Sequence, residues 1–162
     1  MNPDRGDRGG LSVLFDLFAA GQAARGLLNE ALRQSPLKPD EYAVYSALTE
    51  PGPHTPTSIR RRLGMPAPTL SDYLANMEAR SHLRRQTNPE DGRSAILSLT
   101  RAGQTAHART ARDFDPAIAA LLKQLDGDVA ALRAGLVDLR EAAMRASEHL
   151  SSRDRPERAT RR

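Results

Sequence analysis

The side chains in this 162-residue sequence best equipped for chemistry are arginines. Arg60, Arg61 and Arg62 run consecutively, Arg84 and Arg85 form a pair, and Arg93 follows Asp91 and Gly92. A guanidinium is a planar fork of N–H donors that matches phosphate oxygens and guanine edges, so such clusters point to nucleic acid. A GC-rich genome enriches arginine equally well, and composition leaves the two explanations level. The formal net charge is only +4, so the distribution of cations matters more than their total.

Other chemistries have little to work with. The absence of cysteine excludes disulfides, thiolate metal sites, a catalytic thiol and thiol-based redox sensing. His54, His82, His107 and His149 are scattered singly without ligand-like spacing, so no metal and no cofactor is expected. There is no phosphate-cradling Gly-rich loop, Ser-His-acid arrangement or paired-carboxylate motif, and the chain is read as a non-enzyme.

The elements that must position the arginines follow from periodicity. Aromatics are 4% of residues and Trp is absent, which favours helices packed through small and aliphatic side chains. Leu11, Leu14, Phe15, Phe18, Leu28 and Leu32 recur at helical spacing and predict a first helix reaching about Gln34, before Pro36 and Pro39. Asp40 is a candidate cap for a second helix carrying Tyr42, Tyr45 and Leu48, which ends at Pro51-Gly52-Pro53. Thr55 or Thr57 then caps a short helix with Ile59 and Leu63, Gly64 allows a turn, and a further helix begins near Pro66. There the missing proline N–H costs nothing. Leu70, Tyr73, Leu74 and Met77 give that helix one buried face. This cadence is a helix-turn-helix.

A hairpin follows, with strands Leu83–Thr87 and Ser94–Leu99 about a turn through Asn88 to Gly92, and it reads as a wing. Thr100 caps a fifth helix, whose first turn Gly103 weakens; Pro116 predicts a kink or break near Arg112–Asp115. Asp126-Gly127-Asp128 turns the chain into a last helix carrying Val129, Leu132, Leu136, Leu139 and Ala143. The ends, 1–10 and a basic stretch at 151–162, read as flexible tails. No apolar run is long enough to cross a bilayer, and Asp4, Arg5, Asp7 and Arg8 do not lead into a signal-peptide core. A cytoplasmic location with no membrane partner is therefore expected.

The order of these elements resembles the MarR family across residues 11–150. The resemblance is carried by Leu37 to Tyr42, Ile59 to Met65, Thr69 to Arg85, Asp91-Gly92-Arg93 and Leu99 to Gly103. It implies a mostly α fold: a winged helix-turn-helix at about 37–100 with a two-stranded β-wing, and a helical dimerisation region at about 11–34 and 101–150. It also implies an obligate dimer that represses transcription and is released by a small organic ligand.

Residue chemistry fits such a role. A major groove admits one helix whose N-terminal residues reach base edges, which nominates Ala67, Pro68, Thr69, Ser71 and Asp72 for contact with double-stranded DNA. Arg60 and Arg61, and one of Arg84 and Arg85, which alternation sends to opposite faces, are phosphate candidates. Arg93 at the wing tip suits a minor groove, with Asp91 steadying its guanidinium. Gly92 replaces a second wing arginine common in the family, and Asp72 stands where an arginine or neutral polar residue is usual. Leu11, Leu14, Phe15 and Phe18 with Leu132, Leu136, Leu139 and Met144 are candidates for a homodimer core, whose two-fold axis implies a palindromic operator. The family's cleft for a small aromatic or other organic effector would here use Phe18, Gln22, Tyr42, Tyr45 and His107. The rival reading is a winged-helix adaptor that binds protein and does not bind DNA specifically.

Overall fold

The computed structural model describes the backbone of residues 5–153 and the side chains of residues 12–151. Residues 1–4 and 154–162, and the Leu11 side chain, lie outside the described residues. The chain forms two compact units that part at Leu121 and Leu122. The first contains helix α1 (Arg5–Ala31), α2 (Pro39–Ala47), α3 (Pro56–Leu63), α4 (Ala67–Ala79), strands β1 (Leu83–Thr87) and β2 (Ala95–Leu99), and most of α5 (Arg101–Gln124). The second contains α6 (Val129–Arg153).

Local chemistry sets the ends of the helices that form the winged helix. Lys38, not Asp40, is the N-cap of α2: Pro39 occupies the first helical position and the Glu41 carboxylate accepts from the Lys38 backbone N–H at 3.0 Å. Asp40 therefore lies inside the first turn, where its charge complements the helix dipole. Thr55 caps α3 through a reciprocal box, its hydroxyl accepting from Ser58 N–H at 3.1 Å while the Ser58 hydroxyl accepts from Thr55 N–H at 2.9 Å. Gly64, at φ 65°, ends that helix in the left-handed conformation. α4 closes with Ser81 at φ 57°, where Ser81 N–H donates to Glu78 and His82 N–H donates to Met77, both at 2.8 Å. These are the two bonds of a Schellman motif.

β1 and β2 pair antiparallel, with Leu83 opposite Leu99 and Thr87 opposite Ala95. The other edge of β2 takes a bridge from the loop before α3, where Leu97 N–H donates to the His54 carbonyl at 2.7 Å. The return strand starts at Ala95 because Ser94 is held in the turn, its N–H donating to the Asp91 carbonyl at 2.9 Å. Leu83, Leu97 and Leu99 point into a core shared with Leu37, Val44, Tyr45, Leu48, Ile59, Leu70, Leu74 and Met77. The buried members of this core belong to α2, α3, α4, the wing and their approaches, with Ala106 of α5 packed against them, so the helix-turn-helix is held largely by its own hydrophobic contacts.

α5 is joined to this core at its start. The Thr100 hydroxyl accepts from Gly103 N–H at 3.2 Å and donates to the Ser81 carbonyl at 2.7 Å, and Thr100 N–H donates to the His82 carbonyl at 2.9 Å. A Cβ on Gly103 would lie 2.3 Å from the His82 oxygen. Gly103 is therefore a close-approach residue, and its place in the helix is explained by packing. The break expected near Arg112–Asp115 is absent: α5 continues through Pro116, which forgoes one backbone hydrogen bond without ending the helix. In the second unit, Asp128 caps α6, accepting from Ala130 N–H at 2.8 Å.

Candidate nucleic-acid interface

The helix-turn-helix presents α4 with one face buried through Leu70, Leu74 and Met77. Its opposite side exposes Ala67, Pro68, Thr69, Ser71, Asp72, Ala75 and Asn76. The DNA-contact candidates of α4 thus share an outward surface built from small side chains. Pro66 caps the helix in an extended conformation and Leu70 N–H returns to the Pro66 carbonyl at 3.1 Å. That leaves Ala67 and Thr69 with free first-turn N–H groups, because Pro68 has none.

The arginines separate into two sets. Arg62 pairs with Glu50 at 3.1 Å, Arg80 with Glu41 at 2.6 Å, and Arg85 with Glu78 across the α4–β1 junction. Arg60, Arg61, Arg84 and Arg93 are exposed and have no carboxylate partner among the described residues. Asp91 does not hold the Arg93 guanidinium; it accepts from the Arg93 backbone N–H at 3.0 Å. The acid shapes the turn, as does Asn88, whose side chain accepts from Glu90 N–H at 3.1 Å and donates to Ser94 at 2.8 Å. Two turns of this Asx type leave the arginine at the tip with its donors uncommitted.

Sequence reasoning missed Glu41 and Arg80. One oxygen of Glu41 caps α2 and the other accepts from Arg80 at the end of α4, while Tyr73 on α4 donates to Asp40 at 3.4 Å. The start of α2 thereby braces α4. The signal present in the sequence was Glu41 three residues after Lys38; the Arg80 partnership has no local signature.

Of the effector candidates, the structure brings together Tyr42 and His107. Their rings stack at 5.1 Å with 18° between planes, Phe114 meets Tyr42 edge-on at 5.5 Å, and His107 Nε2 lies 3.1 Å from the Ser46 hydroxyl. Desolvation pushes the Tyr42 hydroxyl above its ordinary pKa and the His107 imidazole below its own, so both favour their neutral forms. Tyr45 takes a different place. It is fully buried in the helix-turn-helix core and its hydroxyl lies 2.8 Å from His82 Nδ1. Phe18 and Gln22 lie exposed on α1, with no ring contact between Phe18 and Tyr42 or His107. A separate polar cleft of about 380 Å³ opens between the end of α1 and α5, lined by Glu30, Arg33, Ser35, Arg109 and Asp113 among others. It contains none of the effector candidates.

The dimerisation candidates are mostly uncovered. Leu14, Phe15 and Phe18 are 58, 65 and 67% exposed, and Val13 and Leu17 beside them are exposed too. On α6, Leu132 and Leu136 are exposed, whereas Leu139 and Met144 are half-buried. Five large apolar side chains exposed within six residues of α1 are a contiguous patch of the kind that marks an interface.

The model of the MarR family matches residues 37–94. No curated protein matches the chain in sequence. Solved structures match its fold over most of its length. The Mycobacterium tuberculosis regulator MosR, in complex with DNA, superposes with a TM-score of 0.68 at 20% identity, covering 82% of this chain and 96% of that one. The PcaV regulator of Streptomyces coelicolor, in complex with its natural ligand, gives 0.64 at 23% identity, with 79 and 90% covered. CouR of Rhodococcus jostii, bound to p-coumaroyl-CoA, gives 0.68 at 18% identity, with 79 and 91% covered.

Proposed function

We propose that this chain, whose residues 37–94 match the MarR family model and whose fold is similar to that of MarR-type regulators, is a dimeric repressor that binds a palindromic operator and is released by a small organic ligand. The observation that carries the DNA-binding part is the outward face of α4, free of bulky side chains, together with the exposed Arg60, Arg61, Arg84 and Arg93, which have no carboxylate partner among the described residues. Thr69 and the first-turn N–H groups meet base edges or a phosphate, and Arg93 enters the adjacent minor groove. Phosphate contacts fix the register and α4 reads the bases. The DNA complex of MosR supports DNA binding by a protein of this fold.

The dimer reading rests on the apolar patch of α1 and the exposed leucines of α6, and two protomers related by a two-fold axis place their recognition helices about 34 Å apart. For the ligand, the stacked Tyr42 and His107 with the Ser46 hydroxyl form an aromatic wall edged with polar groups, which suits an aromatic effector. The complex of CouR with p-coumaroyl-CoA supports that class, and the ligand complex of PcaV supports ligand binding in a protein of this fold.

Selection of bound duplexes from a random DNA pool tests the reading. An enriched palindrome, bound less tightly by Thr69→Ala and Arg93→Ala, is the expected result. In a symmetric dimer Arg93→Ala removes two guanidinium charges from the minor groove and reduces the magnitude of the slope of log affinity against log salt by up to about 2. Absence of any enriched duplex, with no dependence on salt, overturns it in favour of a winged-helix adaptor.

A further inference from the structure

Asp72 is an anomaly on the outward face of α4. It is exposed, stands sixth in the helix, past the first turn, and neither caps backbone N–H groups nor joins an ion pair among the described residues. Its neighbours one helical turn away are Pro68, Thr69, Ala75 and Asn76, so no cation on the helix neutralises it. A carboxylate on this face is repelled by phosphates, and over groove dimensions salt screens that repulsion only partly. The repulsion is offset where the acid meets a hydrogen-bond donor at the floor of the groove.

Only two bases offer a donor there. Cytosine presents its N4 amine with no acceptor of its own in the groove; adenine presents N6 beside the acceptor N7; guanine N7 and O6 and thymine O4 are acceptors. An ionised carboxylate, which only accepts, is matched by cytosine and opposed by lone pairs on the other three. The exposed residues nearest it, Pro68, Thr69, Ser71, Ala75 and Asn76, include no long side chain and no charge, which leaves the short aspartate side chain unobstructed at the helix surface.

We infer that Asp72 is a specificity-determining residue that accepts a hydrogen bond from the N4 amine of one cytosine in each half-site. The inference rests on the DNA-binding reading above and adds the base and the repulsion that enforces it. Discrimination then comes from penalising guanine and thymine as much as from rewarding cytosine.

The test is random-pool selection with the full chain and with Asp72→Ala and Asp72→Asn, followed by titration of the wild-type site carrying each base at the implicated position. Asp72 is exposed and makes no contact in the core, so both variants fold; circular dichroism checks this. The wild type is expected to enrich a site with a fixed cytosine in each half, bound at least about fivefold more tightly than the other bases there. Asp72→Ala loses that preference. Asp72→Asn moves it to adenine, whose donor and acceptor an amide matches. Identical base preferences in all three proteins, with Asp72→Ala binding every duplex more tightly by one common factor, overturn the inference and leave Asp72 a repulsive surface charge. Enrichment of nothing by the wild type overturns the DNA-binding reading itself, and the inference with it.

Discussion

At Gly103 the chain leaves no room for a single methyl group. The atom it would strike is the His82 carbonyl oxygen, which belongs to backbone that also receives Thr100 N–H and cannot swing aside. Gly103→Ala is therefore expected to destabilise the protein by about 1–3 kcal/mol in urea unfolding, although alanine is the better helix former. An unchanged or raised midpoint would refute the close approach. His107 gives a second residue-level expectation. Burial lowers its pKa below the ordinary 6.5, so the unfolded chain binds the proton more readily than the folded one. The stability linked to this group is complete above pH 6.5 and is lost as pH falls through the lowered folded value. In His107→Gln that part of the acid sensitivity disappears, which urea midpoints between neutral and mildly acidic pH would show. Neither role was legible in the sequence. Gly103 reads there only as a weak helix former, and a solitary histidine reads as surface or core; both meanings arise from chain segments distant in sequence. The exposure of Thr69, Ser71 and Arg93 was legible, because it follows from their position after a helix-turn and at a hairpin tip.

The elements follow from chemistry written mostly in order along the chain. The strand pairing of Leu83 with Leu99 follows from alternation of buried leucines around a polar turn, and the period of Leu70, Leu74 and Met77 sets the buried side of α4. Among the expectations that went differently, two concern the helices α5 and α2. A proline inside a helical pattern is compatible with either a break or a continuing helix, and α5 continues through an exposed Pro116. Lys38 has no capping side chain, so the start of α2 is set by Pro39 and the Glu41 carboxylate, and Asp40 is left to meet Tyr73 and Arg25. Because Glu41 serves both the start of α2 and Arg80 at the end of α4, Glu41→Ala is expected to cost about 1–3 kcal/mol and to loosen the recognition helix. Operator affinity should fall with it, under conditions where the variant remains folded. Full affinity in that variant would show that α4 needs no brace from α2.

For the whole molecule, the winged helix carries its own core, whereas α1 leaves a run of large side chains uncovered from Val13 to Phe18. Helical periodicity singled out Leu14, Phe15 and Phe18, but it does not distinguish a surface awaiting a second copy from one buried within the chain. Exposure in the structure favours the second copy. Phe15→Glu and Phe18→Glu together place two charges in that patch, and sedimentation should then report a monomer, while the wild type sediments as a dimer; central aromatics of such interfaces are worth about 2 kcal/mol or more each. Monomeric wild-type protein at micromolar concentration would remove the basis for a palindromic operator. The central claim is recognition of a defined DNA sequence, and the most direct measurement is titration of the chain onto its selected duplex and onto a scrambled duplex of equal length and composition, at two salt concentrations. The account predicts binding of one dimer to the selected duplex about 10³-fold or more tighter than to the scrambled one, with affinity for both falling as salt rises. Equal affinity for the two duplexes would contradict it.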